Sequence, residues 1–206
     1  MEYLVTMTTD VPEGTTDEAV ADVRAREAEN SARLAGQRSL LRLWRPPLGL
    51  GEWRSIGLFT AADPDELEAV LGGMPLRIWR SDEVTPLLPH PNDPPEVSAD
   101  DPAMAEFLTV FHLAIPDDAA PDEVERARAG EAEQTRELAR RGRLARLWRL
   151  DPSPAEPGVD LAVGLWRAQE AEEIQAISRS LPLARWMIVE TTPLSRHPSD
   201  PGRNAA

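Results

Sequence analysis

A chain of 206 residues with a formal net charge of −14 and no cysteine has no disulfide framework and no thiolate metal site. The acidic balance, with no basic stripe to offset it, excludes a nucleic-acid backbone as partner, and no apolar run approaches the ~20 residues of a membrane-spanning helix. Every cationic side chain is arginine, which removes lysine Schiff-base chemistry. From the N-terminus, EYLVTMTT is rich in β-formers and predicts a strand, broken by Pro12 and Gly14. Thr16 and Asp17 offer a cap for a long helix reaching about residue 37. Residues 39–45 set Leu41, Leu43 and Arg45 against Leu40, Arg42 and Trp44, the alternation of a strand with two useful faces. Residues 46–51 read as a turn and 53–60 as another strand. Asp63 and Pro64 open a short helix that ends near Gly72 and Gly73. Residues 77–88 hold a last strand, followed by a proline-rich tail. The order is β-α-β-β-α-β, a ferredoxin-like split.

The same order returns in the second half. SLLRLWRPP and RLARLWRLD place Trp44 and Trp148 104 positions apart, and that offset also relates Val20, Arg24, Glu27 and Leu34 to Val124, Arg128, Glu131 and Leu138. Beyond the tryptophan the offset becomes 107, after a small insertion in DPSPAEPG, and joins Pro75-Leu76 to Pro182-Leu183 and His90-Pro91 to His197-Pro198. A period this long is a domain rather than a solenoid repeat. The modules are expected at 1–92 and 105–206, with a linker at 93–104 inside the proline-rich stretch PHPNDPPEVSADDPA.

Val20, Glu27 and Leu34, spaced by seven, share one side of the long helix, as do Val124, Glu131 and Leu138. An acid therefore sits in the stripe that packs on the sheet, in both copies. It either pairs with a cation at the rim or forms a pocket acid whose proton affinity rises with burial, a suitable proton shuttle. Arg24 and Arg128, three residues earlier, are the local cations within reach. Trp44 and Trp148 are core candidates that could also wall an apolar pocket for a flat ring. His90 and His197, beside proline in the tails, read as surface or tail-docking residues, and His112 as a hydrogen-bonded strand residue. No His/Asp/Glu cluster has metal spacing, and no glycine-rich loop suits a phosphate.

Glu27 and Glu131, the LARLWR word, the MPL and LPL after the second helix, and the closing SRHPSD, in this order and spacing, resemble the muconolactone Δ-isomerase family. The resemblance implies an α+β fold in which two ferredoxin-like sheets face each other as a dimeric α+β barrel. Here both sheets would come from one chain, as an intramolecular pseudo-dimer. It also implies a place in aromatic-ring degradation, self-association, and no metal or organic cofactor. The activity implied is a cofactor-free isomerisation that shifts a double bond by proton transfer in an unsaturated lactone or cyclic enone. Glu27 and Glu131 would be the catalytic groups; Arg24, Arg128, Glu52, Trp44 and Trp148 would contact the substrate. Glu52 and Val159 stand where the family has a histidine, and Arg42 and Arg146 replace a second one. These departures keep open an alternative, a small-molecule-binding or assembly protein with a degenerate isomerase site. Met1 is followed by a strand-like run rather than a signal peptide, so a cytoplasmic location is expected.

Overall fold

The computed structural model describes residues 1–95, 103–152 and 157–204. The chain divides into two compact units, one of Met1–Leu87 with Ser195–Ala206, the other of Leu88–Leu194. In the first unit, β1 (Glu2–Thr9), β2 (Leu40–Arg45), β3 (Arg54–Thr60) and β4 (Arg80–Pro89) form an antiparallel sheet in the order β4-β1-β3-β2. Tyr3, Val5 and Met7 alternate along β1 on the face covered by α1 (Asp17–Gly36) and α2 (Pro64–Gly72), where they pack with Leu34, Phe59, Leu67 and Leu71.

Local chemistry sets the helix ends. The Thr16 hydroxyl accepts the Ala19 N–H at 3.2 Å and starts α1. At α2 the capping is reciprocal: Asp63 accepts the Glu66 N–H at 2.9 Å, and Glu66 accepts the Ala62 N–H at 2.5 Å. A 3₁₀ segment, Pro75–Trp79, takes up the start of the expected last strand, so β4 begins at Arg80. Nor does β2 keep the simple alternation expected of it. Its pairing with β3 shifts between Leu40 and Arg42, which brings Leu40 onto the same face as Leu43 in the helix-side core, while Trp44 is buried on the opposite face.

The second unit repeats the plan with β5 (Ala105–Leu113), α3 (Pro121–Arg140), β6 (Leu144–Arg149), β7 (Asp160–Ala168), α4 (Ala171–Ser180) and β8 (Met187–Arg196), sheet order β8-β5-β7-β6. Its core gathers Phe107, Phe111, Leu144, Leu147, Trp166 and Ile174. Trp166 stands where the first copy has Phe59. Its indole N–H needs a partner once buried, and the Thr109 hydroxyl accepts it at 2.8 Å where the first copy has only Val5. Gly164 is required beneath this ring, because a Cβ there would lie 2.3 Å from Trp166 Nε1. Among the described residues no helix is long and apolar enough to cross a membrane.

The compact units are not the sequence modules. Leu88 and Pro89, at the end of β4, pair with Arg149 and Trp148, and the Asp93 carboxylate accepts the Leu147 N–H at 2.6 Å. The first part of the expected linker thus belongs to the second unit; residues 96–102 lie outside the described residues. Reciprocally, Ser195 and Arg196 pair with Arg45 and Trp44, and the His197 N–H donates to the Leu43 carbonyl at 3.0 Å. Composition marks a linker and proline-rich tails, and backbone pairing to β6 and β2 holds the first residues of each.

One position shows the copies relaxing differently. Both long helices close on a residue in the left-handed conformation, Gly142 at φ 69° and its counterpart Arg38 at φ 61°. A Cβ is unfavourable there, by about 1 kcal/mol. Arg38→Gly is expected to raise stability by up to about 1 kcal/mol, the relief being partly offset by the freer unfolded chain. Denaturant midpoints of parent and variant check this, and a lower midpoint for Arg38→Gly would refute it.

Candidate functional site

Each unit holds a cavity between its long helix and its sheet, of about 270 Å³ in the first and about 500 Å³ in the second. The helix stripe does what its spacing predicts: Glu27 and Glu131 both line these cavities. Arg24 and Arg128 line them too, from one turn earlier, but neither pairs with its glutamate. Arg24 stacks over Trp53, 5.4 Å from the ring centre, and Arg128 reaches Asp160 at 3.8 Å.

Glu27 is instead held by residues about fifty positions on. Its Oε2 accepts the Leu76 N–H at 2.9 Å, and Arg80 Nη1 lies 3.3 Å from Oε1. Arg80 is in turn clamped by Asp82 at 2.6 Å, with both side chains 2 % exposed. Burial pushes the Glu27 proton affinity up; the Leu76 N–H and the Arg80 cation oppose the rise, and the nearby Asp82 adds to it. Glu131 has the matching backbone bond, its Oε2 accepting the Leu183 N–H at 3.1 Å, but Met187 stands where Arg80 does. Burial raises its proton affinity as well, opposed by the Leu183 N–H alone.

The histidines set aside as tail residues belong to the site. His197 lines the first cavity and His90 the second. In each, Nδ1 accepts a backbone N–H two residues on, from Ser199 at 3.1 Å and Asn92 at 3.0 Å, so the neutral ring carries its proton on Nε2. Burial and neighbouring arginines, Arg45 and Arg24 for His197 and Arg149 for His90, lower both pKa values to about 4. Each cavity therefore presents an acid with raised proton affinity and a neutral N–H donor.

An aspartate anchors each tail. Asp200, 1 % exposed, takes Arg42 through Oδ1 at 3.2 Å and Oδ2 at 3.1 Å and accepts the Leu43 N–H at 2.8 Å. Asp93 engages Arg146 and Leu147 in the same way. Arg42 and Arg146 also lie over Trp44 and Trp148, at 4.9 and 4.7 Å from the ring centres. The twice-written Leu-Trp-Arg word is thus a docking strip for the tail. Trp44 and Trp148 are buried in it and line neither cavity; Trp53 and Trp166 are the cavity tryptophans. Glu52 is exposed, accepts the Gly49 N–H at 3.1 Å within its own turn, and is likewise not a cavity residue. The one signal for the histidines was their recurrence with the following proline at the offset of 107.

The neutral histidines give a pH prediction. The unfolded chain binds their protons near the ordinary value of 6.5, the folded chain only near 4, so stability is lost as pH falls from about 6.5 to about 4. The glutamates run the other way: with folded pKa values above 4.5, their contribution is lost as pH rises. A His90→Gln/His197→Gln variant is expected to show a shallower fall in denaturant midpoint over the histidine window. A slope equal to the parent's would show that the rings are not held neutral.

Comparison with known proteins agrees with this duplicated geometry. The family model described as Muconolactone delta-isomerase matches residues 1–93 and again 105–200. The Muconolactone Delta-isomerase of Cupriavidus pinatubonensis (strain JMP 134 / LMG 1197) is 32% identical over 92 residues, 45% of this chain and 97% of that protein. The enzyme of the same name from Rhodococcus opacus is 31% identical over 97 residues, 47% of this chain and 98% of its own length. A solved heme-binding protein from Thermus thermophilus covers 97% of this chain and 93% of its own, with TM-score 0.58 and 12% identity, a likeness of fold alone. Each of the two isomerases spans one module, and the two matched segments together take in almost the whole chain. The chain therefore belongs to the muconolactone Δ-isomerase family and carries its module twice in tandem.

Proposed function

We propose that the chain is a cofactor-free isomerase that shifts a double bond by proton transfer in an unsaturated lactone or cyclic enone. The observation that carries this reading is the recurrence, in both units, of a half-buried glutamate with raised proton affinity and a histidine held neutral in one cavity. The carboxylate takes a proton from the saturated γ-carbon next to the conjugated double bond, and the C–H electrons move into a dienolate. The resulting carboxylic acid returns the proton at the other end of the conjugated system. A group that must both accept and return a proton works best with its pKa nearer the working pH, and burial moves both glutamates in that direction. The histidine Nε2–H is suited to donate to the developing enolate oxygen, and the cavity arginines to hold a polar substituent.

The test is proton exchange and double-bond migration in a panel of unsaturated γ-lactones and cyclic enones, followed by NMR in deuterated water. Exchange at the two ends of the conjugated system supports the reading. Neither exchange nor turnover across the panel sinks it and favours the binding alternative. One observation gives that alternative weight in the first unit: Arg80 beside Glu27 favours the charged acid and so weakens it as a base.

The reading includes pairing of the modules as an intramolecular pseudo-dimer. Two features support it: each unit contains the tail of the other module, and Leu4 and Leu58 are buried although they alternate with residues on the helix-covered face. Self-association of the whole chain is proposed with it, and light scattering that gives a strict monomer at micromolar concentration would reject that part.

A further inference from the structure

We infer that the two cavities have diverged to bind different ligands, the first a small ring bearing a carboxylate, the second a bulkier uncharged lactone or enone. The inference rests on the isomerase reading only for the ring chemistry of the ligand. The glutamate, histidine, leading arginine and strand arginine recur in both cavities: Glu27, His197, Arg24 and Arg45 in the first, Glu131, His90, Arg128 and Arg149 in the second. Four matched positions differ in chemistry: Thr9, Trp53, Ser55 and Arg80 answer Leu113, Asp160, Ala162 and Met187.

These differences act on charge, polarity and size together. In the first cavity Arg24 sits over Trp53, 5.4 Å from the ring centre, and neither Arg24 nor Arg45 has a carboxylate at ion-pair distance among the described residues. Arg80 offsets the charge of Glu27. The wall therefore presents two uncompensated guanidinium groups and a flat aromatic face, the chemistry that holds a carboxylate on a planar ring. In the second cavity Asp160 replaces that tryptophan and lies 3.8 Å from Arg128, so the wall there already carries a carboxylate beside its leading arginine. Leucine, alanine and methionine replace threonine, serine and arginine, and the space is about 500 Å³ rather than about 270 Å³. A wall of this kind favours apolar surface on the ligand and leaves room for an alkyl chain or a second ring.

The two tryptophans that line one cavity each allow a direct test. Protein grown with 5-fluorotryptophan is titrated with two saturated, unreactive probes: a γ-lactone carrying an acetate side chain, and γ-decalactone. Fluorine resonances are assigned through Trp53→Phe and Trp166→Phe. The carboxylate probe is expected to move the Trp53 resonance with a Kd about tenfold or more below any effect at Trp166, and γ-decalactone to do the reverse. Arg45→Met is expected to weaken the carboxylate probe about tenfold and leave the Trp166 response to γ-decalactone unchanged. Equal affinity of each probe for both sites, both probes at one site, or no binding of either at millimolar concentration would overturn the inference. Saturated lactones cannot isomerise, so this result is independent of whether proton exchange succeeds or fails.

Discussion

Glu131→Gln is expected to lower proton exchange into an uncharged unsaturated lactone by about 10²- to 10⁴-fold, the usual contribution of a positioned general base. The substitution keeps the shape of the side chain, and its amide oxygen can still accept the Leu183 N–H that now holds the carboxylate at 3.1 Å. What is lost is the site that carries the proton. Glu27→Gln is expected to cost less with the same substrate. Both acids are pushed up by burial and both are opposed by one backbone N–H, but Glu27 is opposed by Arg80 as well. With the weaker base in the smaller cavity, most turnover of an uncharged ring should run through the second unit, and the double variant should fall to background. The parent rate should rise with pH through a midpoint above 4.5, as the carboxylate form accumulates. A double variant that exchanges as fast as the parent would show that neither glutamate is the base.

The second large effect is expected at the tail anchors. In Asp200→Ala, Arg42 loses both carboxylate contacts, and the Leu43 N–H, inside the docking strip, loses its acceptor. Removing one partner of such a buried, hydrogen-bonded pair costs on the order of 3 kcal/mol. That is a large share of what a short tail with two ladder pairs can contribute, so the segment should detach and take His197 out of the first cavity. Limited trypsin digestion reads this directly as faster cleavage after Arg196, and Trp53 fluorescence reads it at the cavity. Asp93→Ala should act likewise on His90 and the second cavity. Asp200→Asn, which keeps an acceptor for the Leu43 N–H but gives up the ion pair, should fall between parent and alanine. Unchanged digestion and an unchanged Trp53 signal in Asp200→Ala would show that the aspartate does not hold the tail.

Glu27 was legible because a helix obeys a local rule. Residues spaced by seven return to one face whatever lies beyond, so an acid among Val20 and Leu34 had to meet the sheet. Its partner was not legible for the same reason: local spacing offers Arg24, whereas the cation that meets it is Arg80, 53 residues on and buried in the sheet. The tryptophans reversed roles in a comparable way. Alternation gave Trp44 and Trp148 two available faces, but the register shift in β2 and β6 sets them on the face opposite the helix-side core, beneath Arg42 and Arg146, and Trp53 at a strand entrance reaches the cavity instead. Glu52 stood at the matching position in the chain and turned back on its own loop.

What the sequence determined by itself is therefore local and repeated: two copies of one module, the order of strands and helices in each, the capped helix, and an acid on its inner face. These follow from periodicity and from side chains within a few residues of one another. What only the tertiary structure decided is which distant groups complete each cavity. The HisPro segments look like solvent-exposed tails by composition, since proline-rich chain forms no ladder of its own. They become cavity walls because Asp200 finds Arg42 and the Leu43 N–H some 158 residues away, and Asp93 finds Arg146 and Leu147. A hydrogen bond of that separation leaves no periodic trace in the chain, for its energy depends on two surfaces meeting rather than on spacing along one element.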